Sequence, residues 1–152
     1  MSRAVIALAL FACQAGSTGS AGSAGAPRRA LELVDAPATS DVAGYVASQV
    51  ARGDATIVVY VGASWCEPCQ RFHQAAAAHQ LDAAFGGLRL LVFDADRDEA
   101  ALDAAGYRSE MIPLFALPGR DGRASGKQFA GSIKGAGAVA EIAPHLRGLV
   151  GR

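Results

Sequence analysis

Past residue 30 the apolar positions change their period several times, and each change marks an element. The patch 31–34 (LELV) reads as a short edge strand. Val42, Tyr45, Val46, Gln49 and Val50 then recur at helical spacing, with Ser40 placed to cap a helix running to about residue 52 and Gly53 to close it. The run 56–63 (TIVVYVGA) is apolar without alternation and rich in β-branched residues, which predicts a central strand buried on both faces. A helix is expected from the Cys66/Cys69 pair toward Phe85, with good helix formers at Ala75 to Ala78.

The run 88–93 (LRLLVF) predicts a second buried strand. Asp96 with Glu99 three residues on has the spacing of a capping box for a short helix ending near Ala105, and Gly106 suits its left-handed stop. Residues 113–117 (PLFAL) predict a third core strand, Asp121-Gly122 a tight hairpin turn, and 127–130 the returning strand. Val139, Ile142, Leu146 and Leu149 share one face of a final helix. Pro144 lies in its middle, so that helix either kinks there or starts nearby.

This order predicts an α/β fold: a mixed sheet of about five strands, flanked on both faces by about four helices, with a hairpin adding an antiparallel edge. At 152 residues and 51% apolar composition the chain can bury one core, so a single domain over 31–152 is expected.

Residues 1–12 have the pattern of an export signal. A basic Arg3 precedes the apolar run 4–12, whose nine residues would rise only about 14 Å as a helix, less than half of a bilayer core. The tetrapeptide Leu10-Phe11-Ala12-Cys13 resembles the lipobox of bacterial lipoproteins, although Phe11 is larger than that position usually carries. The resemblance implies lipid on Cys13 and an extracytoplasmic location, in the bacterial periplasm or cell envelope, held at the membrane; the alternative is an ordinary cleaved signal whose cysteine is discarded. Residues 13–30, largely Gly, Ser and Ala, would form a flexible tether, about 20 Å end to end over its thirteen central residues.

Charge and cysteine content narrow the chemistry. Acidic and basic residues balance at 14 each and Arg28-Arg29 is the longest basic cluster, so a nucleic-acid partner is not expected. Three cysteines are too few for a disulfide-stapled mini-protein or a four-thiolate zinc site. His73, His79 and His145 are scattered, so no metal or organic cofactor is expected. The histidines read as solvated helix-face residues; the alternative for His73, one turn beyond Cys69, is a residue that touches the site.

Cys66 and Cys69 carry the chemistry. Two cysteines three apart in the first turn of a helix can close a small disulfide ring, and the first faces the helix's unpaired N–H groups and positive dipole end, which lowers its pKa. Pro68 is tolerated in that turn, whereas the Glu67 carboxylate opposes the thiolate.

The run Trp65-Cys66-Glu67-Pro68-Cys69 after a hydrophobic strand resembles the active site of the thioredoxin superfamily, in the form found in extracytoplasmic, lipoprotein-type thioredoxin-like reductases. Ile112-Pro113 resembles the family's cis-proline, and the Asp121-Gly122 hairpin and Gly131 match its pattern. The resemblance implies a thioredoxin fold and a thiol–disulfide oxidoreductase, acting as a monomer on a disulfide-containing protein and recharged by a dithiol donor. Cys66 would attack the substrate and Cys69 would resolve the mixed disulfide, with Trp65 and Ile112-Pro113 flanking an extended substrate segment. Two departures stand out. Thioredoxins carry a buried acid six positions before the first cysteine, where this chain has Tyr60, a poor base at neutral pH, so the Cys69 proton would pass to water, to Glu67 or to another group. The Cys69-to-Pro113 spacing leaves little room for the insertion seen in many cytochrome-maturation relatives. The alternative is a thioredoxin-fold binding or assembly module with a structural or vestigial Cys66–Cys69 disulfide.

Overall fold

The structure, a computed structural model, describes residues 29–152. Along them run β1 (Glu32–Asp35), α1 (Val42–Ala51), β2 (Thr56–Gly62), α2 (Glu67–Ala77), α3 (Asp82–Phe85), β3 (Leu88–Asp94), α4 (Glu99–Ala104), β4 (Leu114–Pro118), β5 (Ala124–Ala130) and α5 (Ala138–Val150). The signal segment and nearly all of the tether expected for residues 1–30 lie outside the described residues. Among the described residues no helix is long and apolar enough to cross a membrane.

The five strands form one sheet in the order β1-β3-β2-β4-β5. β3 lies between β1 and β2 and runs parallel to both, while β4 is antiparallel to β2 and β5 to β4. β2 takes the centre because its unbroken apolar run can be buried on both sides, as six of its seven residues are. Period-two alternation divides it: Val58 and Tyr60 pack with Phe72 of α2 and Ile142 and Leu146 of α5, whereas Ile57, Val59 and Val61 pack with Val42 and Val46 of α1 and Leu102 of α4. This is the mixed sheet with helices on both faces that the element order predicts.

Several boundaries differ from expectation, each for a local reason. Asp41, not Ser40, caps α1: its Oδ1 accepts the Gly44 N–H at 2.8 Å, and its own N–H is held by Thr39 Oγ1 at 3.0 Å. α4 has no side-chain cap. Asp94, at the end of β3, organises that turn by accepting the N–H groups of Asp96 and Arg97, each at 2.9 Å. Asp98, only 4% exposed, accepts from Asp94 N–H and pairs with Arg97 at 2.6 Å. Burial works to raise the Asp98 pKa, but these partners outweigh it and hold the carboxyl below its ordinary value. α5 starts well before Pro144 and runs through it. Pro144 stands on the exposed face, so the Ala140 carbonyl it leaves without a helical partner is solvated.

β5 begins three residues earlier than its apolar pattern suggests, and residues 119–123 make the connection, closed by Gly119 N–H to Arg123 O at 2.7 Å and Gly122 N–H to Gly119 O at 3.0 Å. Gly122 takes φ 73° and its backbone presses on α1, where a Cβ would stand 2.0 Å from the Ala43 carbonyl oxygen.

The helix expected to reach Phe85 instead breaks after Ala77, and His79 adopts φ 58°. Its N–H donates to Ala76 O and the Gln80 N–H to Ala75 O, both at 3.0 Å, which is the Schellman hydrogen-bond pattern with histidine in the position glycine usually fills. The left-handed conformation costs a residue with a Cβ about 1–2 kcal/mol. The contact of His79 Nδ1 with Asp82 Oδ2 at 2.9 Å offsets part of this. His79→Gly should therefore stabilise the protein by about 1 kcal/mol, raising the thermal midpoint by about 3 °C. A lower midpoint would show that the Asp82 contact outweighs the backbone relief.

Candidate active site: the Cys66–Cys69 pair

β2 ends at Gly62, and the chain turns through 63–65 into α2, with Cys66 N–H donating to Ala63 O at 3.1 Å. Cys66 is the N-cap of α2, in extended geometry, and its Sγ accepts the Cys69 N–H at 3.3 Å. The sulfur thus occupies the place where a serine or aspartate oxygen would satisfy the first turn, and a thiolate there gains from the N–H and from the helix dipole. Pro68 lies in the same turn, where an N–H has no helical partner to lose. Cys66 and Cys69 form a disulfide with S–S 2.03 Å and Cα–Cα 5.2 Å.

In this disulfide both residues are buried, Cys66 at 4% exposure and Cys69 at 3%, so accessibility does not separate their roles. Their surroundings do. Cys66 lines a groove of about 320 Å³ together with Trp65, Glu67, Pro68, Met111 and Ile112, whereas Cys69 lines a separate cleft of about 450 Å³ with Tyr60, His73, Asp35 and Arg97. Around the groove, Trp65 and Met111 are 66% and 61% exposed. The Trp65 indole N–H donates to Asp96 Oδ2 at 2.8 Å, which fixes the ring beside Cys66. Asp96 is thus a site residue that the sequence pattern had placed only in a capping box. The Ile112–Pro113 peptide bond is cis, Pro113 is buried, and its carbonyl accepts the Gly131 N–H at 3.0 Å, so the start of β4 and the end of β5 meet beside the groove.

Glu67 is engaged twice, by Gly135 N–H at 2.9 Å and by Arg71 Nε at 2.7 Å. The Gly135 N–H and then Arg71 hold its carboxyl below the usual range, so it stays ionised with its charge largely answered. It ties the segment before α5 to the first turn of α2 and is not placed as a free base for Cys69.

Tyr60 is fully buried between Phe72, His73 and Phe115, with ring centroids 5.8, 5.2 and 5.0 Å away. Gly62 makes room for it, since a Cβ there would stand 2.8 Å from the phenol oxygen. Among the described residues that hydroxyl has no hydrogen-bond partner. Burial pushes its pKa up, so the residue standing where an acid was expected remains neutral. His73 is not the solvated helix-face residue expected. It is half-buried against Tyr60 and lines the same cleft as Cys69. Burial lowers its pKa from 6.5, with Asp35 opposing. Its i,i+4 relation to Cys69 was the available signal, because residues so spaced share a helix face. Cys13 lies outside the described residues.

No protein-family model matches the chain, and no curated protein matches it either. Solved structures do. The thioredoxin of Trichomonas vaginalis is similar with a TM-score of 0.50 at 18% identity, over 80% of this chain and 96% of that one. A poplar thioredoxin h gives 0.47 at 18%, over 80% and 93%. The thioredoxin of Trypanosoma brucei brucei gives 0.44 at 20%, over 84% and 98%. With its β1-β3-β2-β4-β5 mixed sheet and helices on both faces, the chain has the thioredoxin fold.

Proposed function

We propose that this protein is a thiol–disulfide oxidoreductase that reduces protein disulfides through Cys66 and Cys69. The observation that carries this reading is the placement of Cys66 Sγ at the N-cap of α2, accepting the Cys69 N–H, on a groove walled by exposed apolar side chains. In the dithiol form the Cys66 thiolate attacks a substrate disulfide and one substrate sulfur leaves as a thiolate. Cys69 then gives up its proton and attacks Cys66 Sγ. The Cys66–substrate bond breaks, the second substrate sulfur leaves, and the Cys66–Cys69 disulfide remains. A dithiol donor restores the pair. Trp65, Met111 and Ile112 offer an extended substrate segment an apolar seat, and Pro113 supports it from behind.

The direction follows from charge. Strong oxidants in this chemistry owe their potential to a heavily stabilised reduced thiolate. Here the helix N-terminus stabilises Cys66, and the adjacent Glu67 carboxylate, although largely answered by Arg71 and the Gly135 N–H, opposes it with the charge that remains. Equilibration with glutathione should place the pair nearer the reducing value of about −270 mV than the oxidising value of about −120 mV. A value at the oxidising end overturns the assigned direction.

We further propose that Cys13 is the lipidated first residue of the mature chain, which holds the domain at the extracytoplasmic membrane surface. The support is the Leu10-Phe11-Ala12-Cys13 pattern and the Gly/Ser/Ala tether after it. Mass spectrometry of the mature N-terminus should find an acylated Cys13. An unmodified N-terminus further along the chain contradicts it.

A further inference from the structure

We infer that His73 is the group that takes the proton from Cys69 in the second step, across the cleft the two residues share. This rests on the exchange reading above and assigns a residue to the step which that reading leaves without a base. Cys69 is buried and attacks only after losing its thiol proton. Tyr60, which lines the same cleft, is a neutral phenol. Glu67 lines the other cavity and is held by Arg71 and Gly135.

His73 meets the geometric requirement. It follows Cys69 by one turn of α2, which sets their Cβ atoms about 5–6 Å apart on one face, and both side chains open on the 450 Å³ cleft. That cleft has room for water, and Tyr60 brings to it a buried hydroxyl that no described residue satisfies. The charged groups facing His73 are Asp35 from β1, Asp94 from β3 and Arg97 from the turn after it, so the ring sits between both signs. Its desolvation keeps the imidazole neutral, and therefore able to accept, at neutral pH.

The step balances. The Cys69 proton passes through cleft water to His73, and the sulfur's electron pair forms the bond to Cys66 Sγ. The pair of the broken Cys66–substrate bond leaves on the substrate sulfur as a thiolate, which is protonated by solvent on the groove side, and the imidazolium returns its proton to solvent through the cleft.

The test is a stopped-flow reaction of the reduced full chain with dithiobisnitrobenzoate, which releases one coloured thiolate when Cys66 attacks and a second when Cys69 resolves. For His73→Gln the first phase should keep its rate, while the second slows about 100-fold near pH 7. The wild-type second phase should be flat at neutral pH and fall with a midpoint below the ordinary imidazole value of 6.5. The variant's should instead climb about tenfold per pH unit toward the thiol pKa. Asp35→Asn leaves the ring in place and removes a charge that favours imidazolium, so it should move the wild-type midpoint to lower pH. An unchanged second phase in His73→Gln, a slowing equal at every pH, or an unmoved midpoint in Asp35→Asn overturns the assignment. Absence of both phases in the wild type overturns the exchange reading itself, and His73's role with it.

Discussion

Replacing Cys69 with serine should turn the protein into a trap for its own substrates. The first attack needs only the Cys66 thiolate at the N-cap of α2, which Cys69→Ser leaves in place because the helix N–H groups come from the backbone. The release step needs the second sulfur, and a serine hydroxyl cannot supply it. Covalent complexes should therefore accumulate, appearing on non-reducing gels from the native host as high-mass bands that collapse with reductant. Cys66→Ser should instead reduce exchange to the background of the dithiol donor and trap nothing. The opposite pattern, complexes with Cys66→Ser and none with Cys69→Ser, would reverse the two roles. The separation of the two cavities makes the prediction sharp: Cys66 opens on the groove beside Trp65 and Met111, and Cys69 opens on the cleft behind it.

Gly122→Ala should be strongly destabilising. The position needs φ 73°, which costs a residue with a Cβ about 1–2 kcal/mol. The added carbon would also stand 2.0 Å from Ala43 O and 2.5 Å from Ala47 N, both backbone atoms of α1 that no rotamer change can move. Overpacking of this kind costs about 1–3 kcal/mol more. Any shift that relieves it pulls the Gly122 carbonyl from the buried Tyr107 hydroxyl, which donates to it at 2.7 Å. A loss of about 3–5 kcal/mol is expected, a large part of the stability of an ordinary domain, read as a fall of about 2 M in the urea midpoint. Gly53→Ala is the comparison: φ is 66° but nothing lies within 4 Å, so about 1 kcal/mol should be lost. Equal losses at the two positions would mean that α1 yields to the methyl group.

What was legible in the sequence is what short-range pattern determines. β2 and β3 declare themselves because strands buried on both faces show no polar alternation, and the parallel core followed from helices lying between them. Cys66 and Cys69 were legible because their chemistry lies within one turn of chain. The break at His79 was not, since a left-handed residue is ordinarily signalled by glycine or asparagine and the sequence there continues with good helix formers. The exchange of Ser40 for Asp41 as cap is a choice between two good oxygen acceptors, decided by the backbone angles of one residue. Asp96 illustrates the harder case: its spacing to Glu99 fits a capping box, but its carboxylate crosses to the Trp65 indole, 31 residues away in sequence. His73 needed the fold as well. Which face of α2 borders a cleft depends on Tyr60 filling the space that Gly62 leaves and on Asp35 ending β1 beside it.

Reduction of insulin disulfides in the presence of dithiothreitol tests the central claim most directly. The wild-type chain should accelerate precipitation of the insulin B chain well above dithiothreitol alone, and Cys66→Ser, folded by circular dichroism, should return the rate to that background. A wild-type rate no faster than dithiothreitol alone would contradict the account and leave the Cys66–Cys69 disulfide as a structural clasp in a binding or assembly module.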